Sequence, residues 1–156
     1  MARTSQRAIP LLLIAIAVTL VAARIGIRFL EPDQKSGSGI HWVSPDEGAR
    51  LAASSGKPLL FDFTAEWCQP CHELDAAVFT VPELAAEINK RFVPVRVMDR
   101  QQEEGRNSGA VAALQQRYSV RGFPTVIFAD ASGVERARIE GFRGRADFER
   151  VMAGLR

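Results

Sequence analysis

Two cysteines make up the whole thiol complement of this 156-residue chain, and they stand as Cys68 and Cys71 in the pattern C-x-x-C. A dithiol exchanges disulfides when one sulfur is exposed and acidic enough to be a thiolate and a second can reach it to release the mixed disulfide. Pro70 suits the first turn of a helix. Cys68 would then lie at the amino end of that helix, where unpaired N–H groups and the positive end of the macrodipole favour its anion. Cys71 falls one turn later on the same face, shielded by the turn before it. The spacing therefore predicts Cys68 as nucleophile and Cys71 as resolving thiol. One bond closing so short a loop cannot staple a domain, which excludes a framework of structural disulfides. A structural zinc site wants four ligands, and the chain offers only this pair with His41 and His72. No metal is expected, and no cofactor beyond the redox-active Cys68–Cys71 disulfide itself.

Several residues near this pair have two readings. Asp62 is an acid inside an apolar run upstream of Cys68. It is either a bulged or edge position facing solvent, or a buried carboxyl of raised pKa that takes and returns the proton of Cys71. Asp75 follows Cys71 on the same helical face; it could share that task, or be a solvated surface acid. Glu66 and His72 read as surface neighbours. Phe123-Pro124 precedes the apolar strand TVIF, where a proline suits only the first strand position. It is either an ordinary trans strand cap or a cis bond that leaves the Phe123 backbone free to pair with an extended peptide.

The elements that must hold these residues can be read from the rest of the chain. Residues 44–55 predict a helix with Ser44 as N-cap, Pro45 in the first turn, and Gly56 and Pro58 as stops. Residues 59–63 suit a strand covered on both faces. A helix running from the cysteines through Val78 follows, then a helix over 82–92 and a strand over 93–98. A polar loop over 101–109 has no readable role. After it come a helix over 110–118, strands over 125–128 and 135–141 flanking the turn 130–133, and a closing helix over 147–155. The order predicts an α/β fold, a central mixed β-sheet flanked by helices, in residues 41–156.

Ahead of this domain, Arg3 and Arg7 precede an apolar run over 9–23, which reads as a targeting segment. Val21-Ala22-Ala23 would suit signal-peptide cleavage and release to the periplasm. If instead the helix continues to Leu30, with Arg24 and Arg28 reaching the interface, residues 1–30 are a signal-anchor long enough to cross a bilayer. The anchor is the expected form, because a cleaved product would begin with the still apolar RIGIRFL. Residues 31–40, rich in Gly and Ser, are the expected flexible linker. Five of the 20 Lys and Arg and two of the 18 Asp and Glu lie in residues 1–40, leaving 15 basic against 16 acidic groups in the domain. That near-neutral balance argues against a nucleic-acid partner. Disulfides persist on the oxidising side of a membrane, so the domain is expected to face the periplasm as a single-pass inner-membrane protein.

Through FDFTAEWCQPC, RGFPTVIF and IEGFRGRADF, residues 41–156 resemble the thioredoxin family, and within it the C-terminal periplasmic domain of the transmembrane disulfide reductase DsbD. The resemblance implies that Cys68 attacks, Cys71 resolves, Asp62 is the buried acid, Trp67 packs against the disulfide, and Pro124 is cis beside the site. It also implies that Asp75 matches a second acid of the DsbD-like domain. Gln69-Pro70 is neither the Gly-Pro of thioredoxins nor the Pro-His of strong oxidants, and Thr64 replaces a frequent aromatic. Pro70, at the third motif position, leans toward reduction. The expected activity is thus a protein-disulfide reductase, with an oxidant, an isomerase or a non-catalytic binding module as the alternatives. A DsbD-like membrane electron conduit is absent from the sequence, so a separate membrane electron donor is expected beside protein disulfide substrates. One catalytic domain without a dimerisation module argues against the isomerase, and a monomer is expected.

Overall fold

The computed structural model describes residues 39–155; the expected anchor helix of residues 1–30 lies outside the described residues. At the centre runs β1 (Leu59–Ala65), with all of its residues buried. It pairs in parallel with β2 (Val93–Asp99) and antiparallel with β3 (Thr125–Ala129), and β3 pairs with β4 (Glu135–Glu140). The resulting order is β2-β1-β3-β4, a mixed four-stranded sheet. The continuous apolar run of β1 follows from that place, since a strand with neighbours on both edges and helices on both faces has no solvent side.

Among the described residues the α-helices are α1 (Pro45–Ser55), α2 (Gln69–Leu74), α3 (Pro82–Arg91), the short exposed α4 (Gln101–Glu104), α5 (Gly109–Arg117) and α6 (Arg145–Gly154). Period-2 alternation divides the core into two layers. Leu59, Phe61 and Phe63 of β1 point with Val93, Val95 and Val97 of β2 toward Ala52 of α1 and Val111 of α5. Leu60 of β1 points the other way with Val126 and Phe128 of β3, toward Leu74, Leu84, Ile88, Phe148 and Met152. Asp62 and Thr64 share the phase of Leu60. Each large side chain buried in these layers contributes roughly 1.5–3 kcal/mol relative to exposure.

Local signals act where the sequence places them. The Ser44 hydroxyl accepts the Glu47 N–H at 3.4 Å and caps α1, while Gly56 closes it at φ 69°. Gly48 lies so close to β2 that a Cβ there would meet Val95 at 2.3 Å, so no larger residue fits without moving the helix. In the turn between β3 and β4, the Asp130 carboxylate accepts the N–H groups of Ser132 and Val134.

Two stretches differ from expectation. The helix after Cys71 does not continue as an α-helix through Val78 but passes into a π turn, Asp75–Phe79. Residues 101–109 are not simply a loop: they include α4 and fold back onto Asp99. The Asp99 carboxylate accepts from Asn107 Nδ2 at 2.6 Å, Gln115 Nε2 at 2.7 Å and the Gln101 N–H at 3.0 Å. That network ties the excursion between β2 and α5 to the carboxyl end of β2.

Candidate active site

The chain leaves β1 at Ala65 and turns so that Cys68 becomes the N-cap of α2, with extended backbone (φ −83°, ψ 98°). Its sulfur accepts the Cys71 N–H at 3.3 Å, which is the helix-start environment expected to favour a thiolate. Pro70 occupies the first turn and has no N–H to leave unpaired. Cys68 and Cys71 are joined as a disulfide with Cα atoms 5.3 Å apart. Both are buried in this oxidised form, so Cys68 is covered rather than exposed, with 2% of its surface accessible. Phe123 packs against the cluster they form with Ala65. Trp67 is half exposed and meets Phe123 edge-on, with ring centroids 6.0 Å apart. The Phe123-Pro124 bond is cis.

On the face of the sheet that carries Leu60 lies a cluster of charges. Asp62 is on the central strand, not at an edge, and only 2% of it is exposed. In the parallel register of β1 and β2 it stands opposite Arg96. Arg96 donates to Asp62 Oδ2 at 3.1 Å and, through Nη2, to Asp75 Oδ1 at 2.5 Å. Asp75 opens the π turn, half-buried rather than fully solvated. The Arg96 guanidinium lies over the Trp42 ring, 4.2 Å from its centroid, and 5.9 Å from that of Phe79. Asp62 Oδ1 is buried without a hydrogen-bond partner among the described residues. Burial pushes the Asp62 carboxyl up to about 7; Arg96 pulls the other way and Asp75 adds to the rise. A carboxyl poised there can both accept and return a proton near neutrality.

The profile of the thioredoxin-like domain matches residues 45–155 of the chain. The chain belongs to the thioredoxin-like family. Among curated proteins it is 38% identical over 100 residues to the thiol:disulfide interchange protein DsbD of Vibrio vulnificus, covering 63% of this chain and 16% of that one. To DsbD of Salmonella paratyphi A it is 28% identical over 152 residues, covering 94% of this chain and 26% of that one. The chain thus spans about a quarter or less of the length of these relatives. Among solved structures, a thioredoxin from Thermus thermophilus superposes with TM-score 0.61 at 27% identity, over 75% of this chain and 87% of that one. A DsbH oxidoreductase superposes with TM-score 0.63 at 24% identity, over 81% of this chain and 94% of that one, a likeness of fold.

This thioredoxin-like disulfide oxidoreductase domain brings Cys68, Cys71, Trp67, Pro70, Phe123 and Pro124 to the carboxyl end of β1 and the start of α2. Asp62 and Asp75 lie on the face of the sheet that α2 and the π turn cover, joined through Arg96. His72 points away from the sulfurs, its Nε2 2.8 Å from the Glu66 carbonyl. Arg96 is the residue that sequence reasoning missed. A signal was present: in VPVRVMD it is the one cation, set within the apolar residues that precede Asp99, just as Asp62 is the one acid in LLFDFTA. Two opposite charges, each flanked by apolar residues in its strand, are candidates to pair across a sheet.

Proposed function

We propose that this chain is a periplasm-facing thiol:disulfide oxidoreductase that reduces protein disulfides through Cys68 and Cys71. The observation that carries the reading is a cysteine pair at a helix start, its first sulfur accepting a backbone N–H, with a buried carboxyl of raised proton affinity on the adjoining strand. In the reduced enzyme, the Cys68 thiolate attacks one sulfur of the substrate disulfide. The S–S bond breaks, a mixed disulfide forms, and the departing substrate thiolate takes a proton from water. Asp62 then accepts the Cys71 proton, and the new thiolate attacks Cys68 Sγ, closing the Cys68–Cys71 bond and releasing the second substrate thiolate. Asp62 returns its proton to that thiolate through solvent. Two electrons and two protons pass to the substrate, and the enzyme ends in the disulfide form described above.

Trp67 and Phe123 form the apolar rim against which a substrate segment rests, and the Phe123-Pro124 backbone pairs with it. The relatives named thiol:disulfide interchange protein support the class of reaction, and Pro70 supports the reducing direction. Residues 1–30 anchor the chain in the inner membrane, residues 31–40 tether the domain on the periplasmic side, and a separate membrane protein supplies electrons to a monomeric enzyme. Equilibration of the full chain with glutathione tests the direction. A reductase has a potential toward that of thioredoxin, about −270 mV, and a value on the order of −120 mV would make the chain an oxidant. Trapping with Cys71→Ser in membranes should capture client proteins and the donor as mixed disulfides on Cys68.

A further inference from the structure

Between Glu66 and His72 the chain runs Trp67-Cys68-Gln69-Pro70-Cys71, so the two residues bracket both sulfurs. In the fold they meet: His72 Nε2 lies 2.8 Å from the Glu66 carbonyl oxygen. A carbonyl oxygen can only accept, so Nε2 carries the proton, as it does in one neutral tautomer and in the imidazolium alike. This bond closes a ring around the reactive segment, outside the smaller ring closed by the Cys68–Cys71 disulfide. The backbone within it is held as well. The Cys68 N–H donates to the Ala65 carbonyl at 3.2 Å, and the His72 N–H donates to the Cys68 carbonyl at 3.3 Å.

The two rings share one stretch of chain. Closing either removes conformations that the other would otherwise have to remove itself. Each closure therefore favours the other, by the same factor in both directions. Reduction breaks the covalent ring, whereas the His72 bond uses no sulfur and can persist. Both residues are exposed, so water competes for the bond and the coupling is modest. The Glu66 carboxylate has a separate partner, with Arg100 Nη1 2.5 Å from its Oε1. That pair ties the turn to the segment after β2 and not to α2, which makes it a control at the same residue.

We propose that His72 is a positioning residue for the redox pair: by donating to the Glu66 carbonyl it holds the turn before Trp67 against α2, keeps the reduced Cys68 and Cys71 close, and makes their disulfide easier to form. A pair that closes more readily is the stronger reductant. The role of His72 thus deepens the reading of this chain as a disulfide reductase, and rests on it.

The test equilibrates the full chain with glutathione. The reduced chain and one glutathione disulfide give the Cys68–Cys71 disulfide and two glutathione thiols, so two electrons and two protons pass to glutathione. The equilibrium constant is read from the fraction of oxidised chain. His72→Ala should lower it about threefold. His72→Gln, whose amide N–H can take the place of Nε2–H, should recover the native value, and Arg100→Ala should leave it unchanged. The converse is read on the ring by nitrogen NMR: neutral His72 should hold a larger share of the Nε2–H tautomer in the oxidised chain than in the reduced one. Equal constants for the native chain and His72→Ala would overturn the proposal. So would an equal fall in His72→Ala and His72→Gln, which would assign the effect to the charge of the ring, or a like fall in Arg100→Ala, which would assign it to any contact of Glu66. The variants are compared as ratios, so a native potential at the oxidising end of the family would sink the reductase reading by itself, while the ratios still decide what the His72 bond does.

Discussion

Asp62 and Asp99 lie on neighbouring parallel strands, both buried, and are held in opposite ways. Burial alone would raise the proton affinity of Asp99, but hydrogen bonds from Gln115, Asn107 and Gln101 outweigh it and hold its carboxyl below the ordinary carboxylate value. Each of those donors is satisfied in return. Asp62 has one oxygen on Arg96, the other without a partner among the described residues, and a proton affinity pushed up to about 7. The first is a fastening, stable because it stays ionised. The second is a proton store, useful because its ionisation is costly enough to be reversible near neutral pH. Asp62 is enclosed more deeply than Asp99, which ends its strand, and it has fewer donors; depth of burial and donor number together decide the role.

The two acids should differ most in their effect on rate. Asp62→Asn should slow closure of the Cys68–Cys71 disulfide by on the order of 10²-fold, measured in single-turnover release from a mixed disulfide, whereas Asp99→Asn should leave that step nearly unchanged. Equal slowing in both variants would remove the distinction.

Stability should depend on pH with opposite sign at the two sites. The fold keeps Asp62 protonated to about pH 7, against 3.8 for the ordinary carboxyl. Its contribution is therefore complete below that lower value and is lost as pH rises through 7. Relative to the native chain, Asp62→Asn should gain roughly 4 kcal/mol between about pH 4 and about pH 8, followed by denaturant unfolding of the oxidised protein. Asp99 has the opposite sign: its contribution is present above the ordinary carboxylate value and disappears as pH falls below it.

Asp99→Ala should cost about 2 kcal/mol at neutral pH, because donors from Asn107, Gln115 and Gln101 lose their acceptor together. The smallest effect belongs to a surface ion pair. Arg100 and Glu66 form an ion pair with side chains 38% and 55% exposed, and Arg100→Ala should change stability by less than about 0.5 kcal/mol. A larger loss would mean that the excursion after β2 helps to hold the active-site turn.

Much of this contrast is invisible along the chain. The dithiol, its helix start at Pro70, the acid within LLFDFTA, the proline before TVIF and the turn at Asp130 are legible because each depends on neighbours within one turn or one strand phase. The helix bounds agree with expectation to within a residue or two for the same reason, as at α1 and α3. The π turn was not legible, since the residues that follow Cys71 are compatible with a continuous α-helix. Nor were the partners of Asp99, whose Asn107 and Gln115 look like ordinary polar residues of a loop and a helix face.

Residue types and short spacings thus established which groups can exchange electrons, and that an acid stands near them. Strand order and register decided what that acid can do. Placing β1 between β2 and β3 buried Asp62, and the parallel pairing set Arg96 opposite it across 34 residues of chain. A proton affinity depends on solvent access and on charges brought close by packing, and neither is a property of a residue's neighbours in sequence.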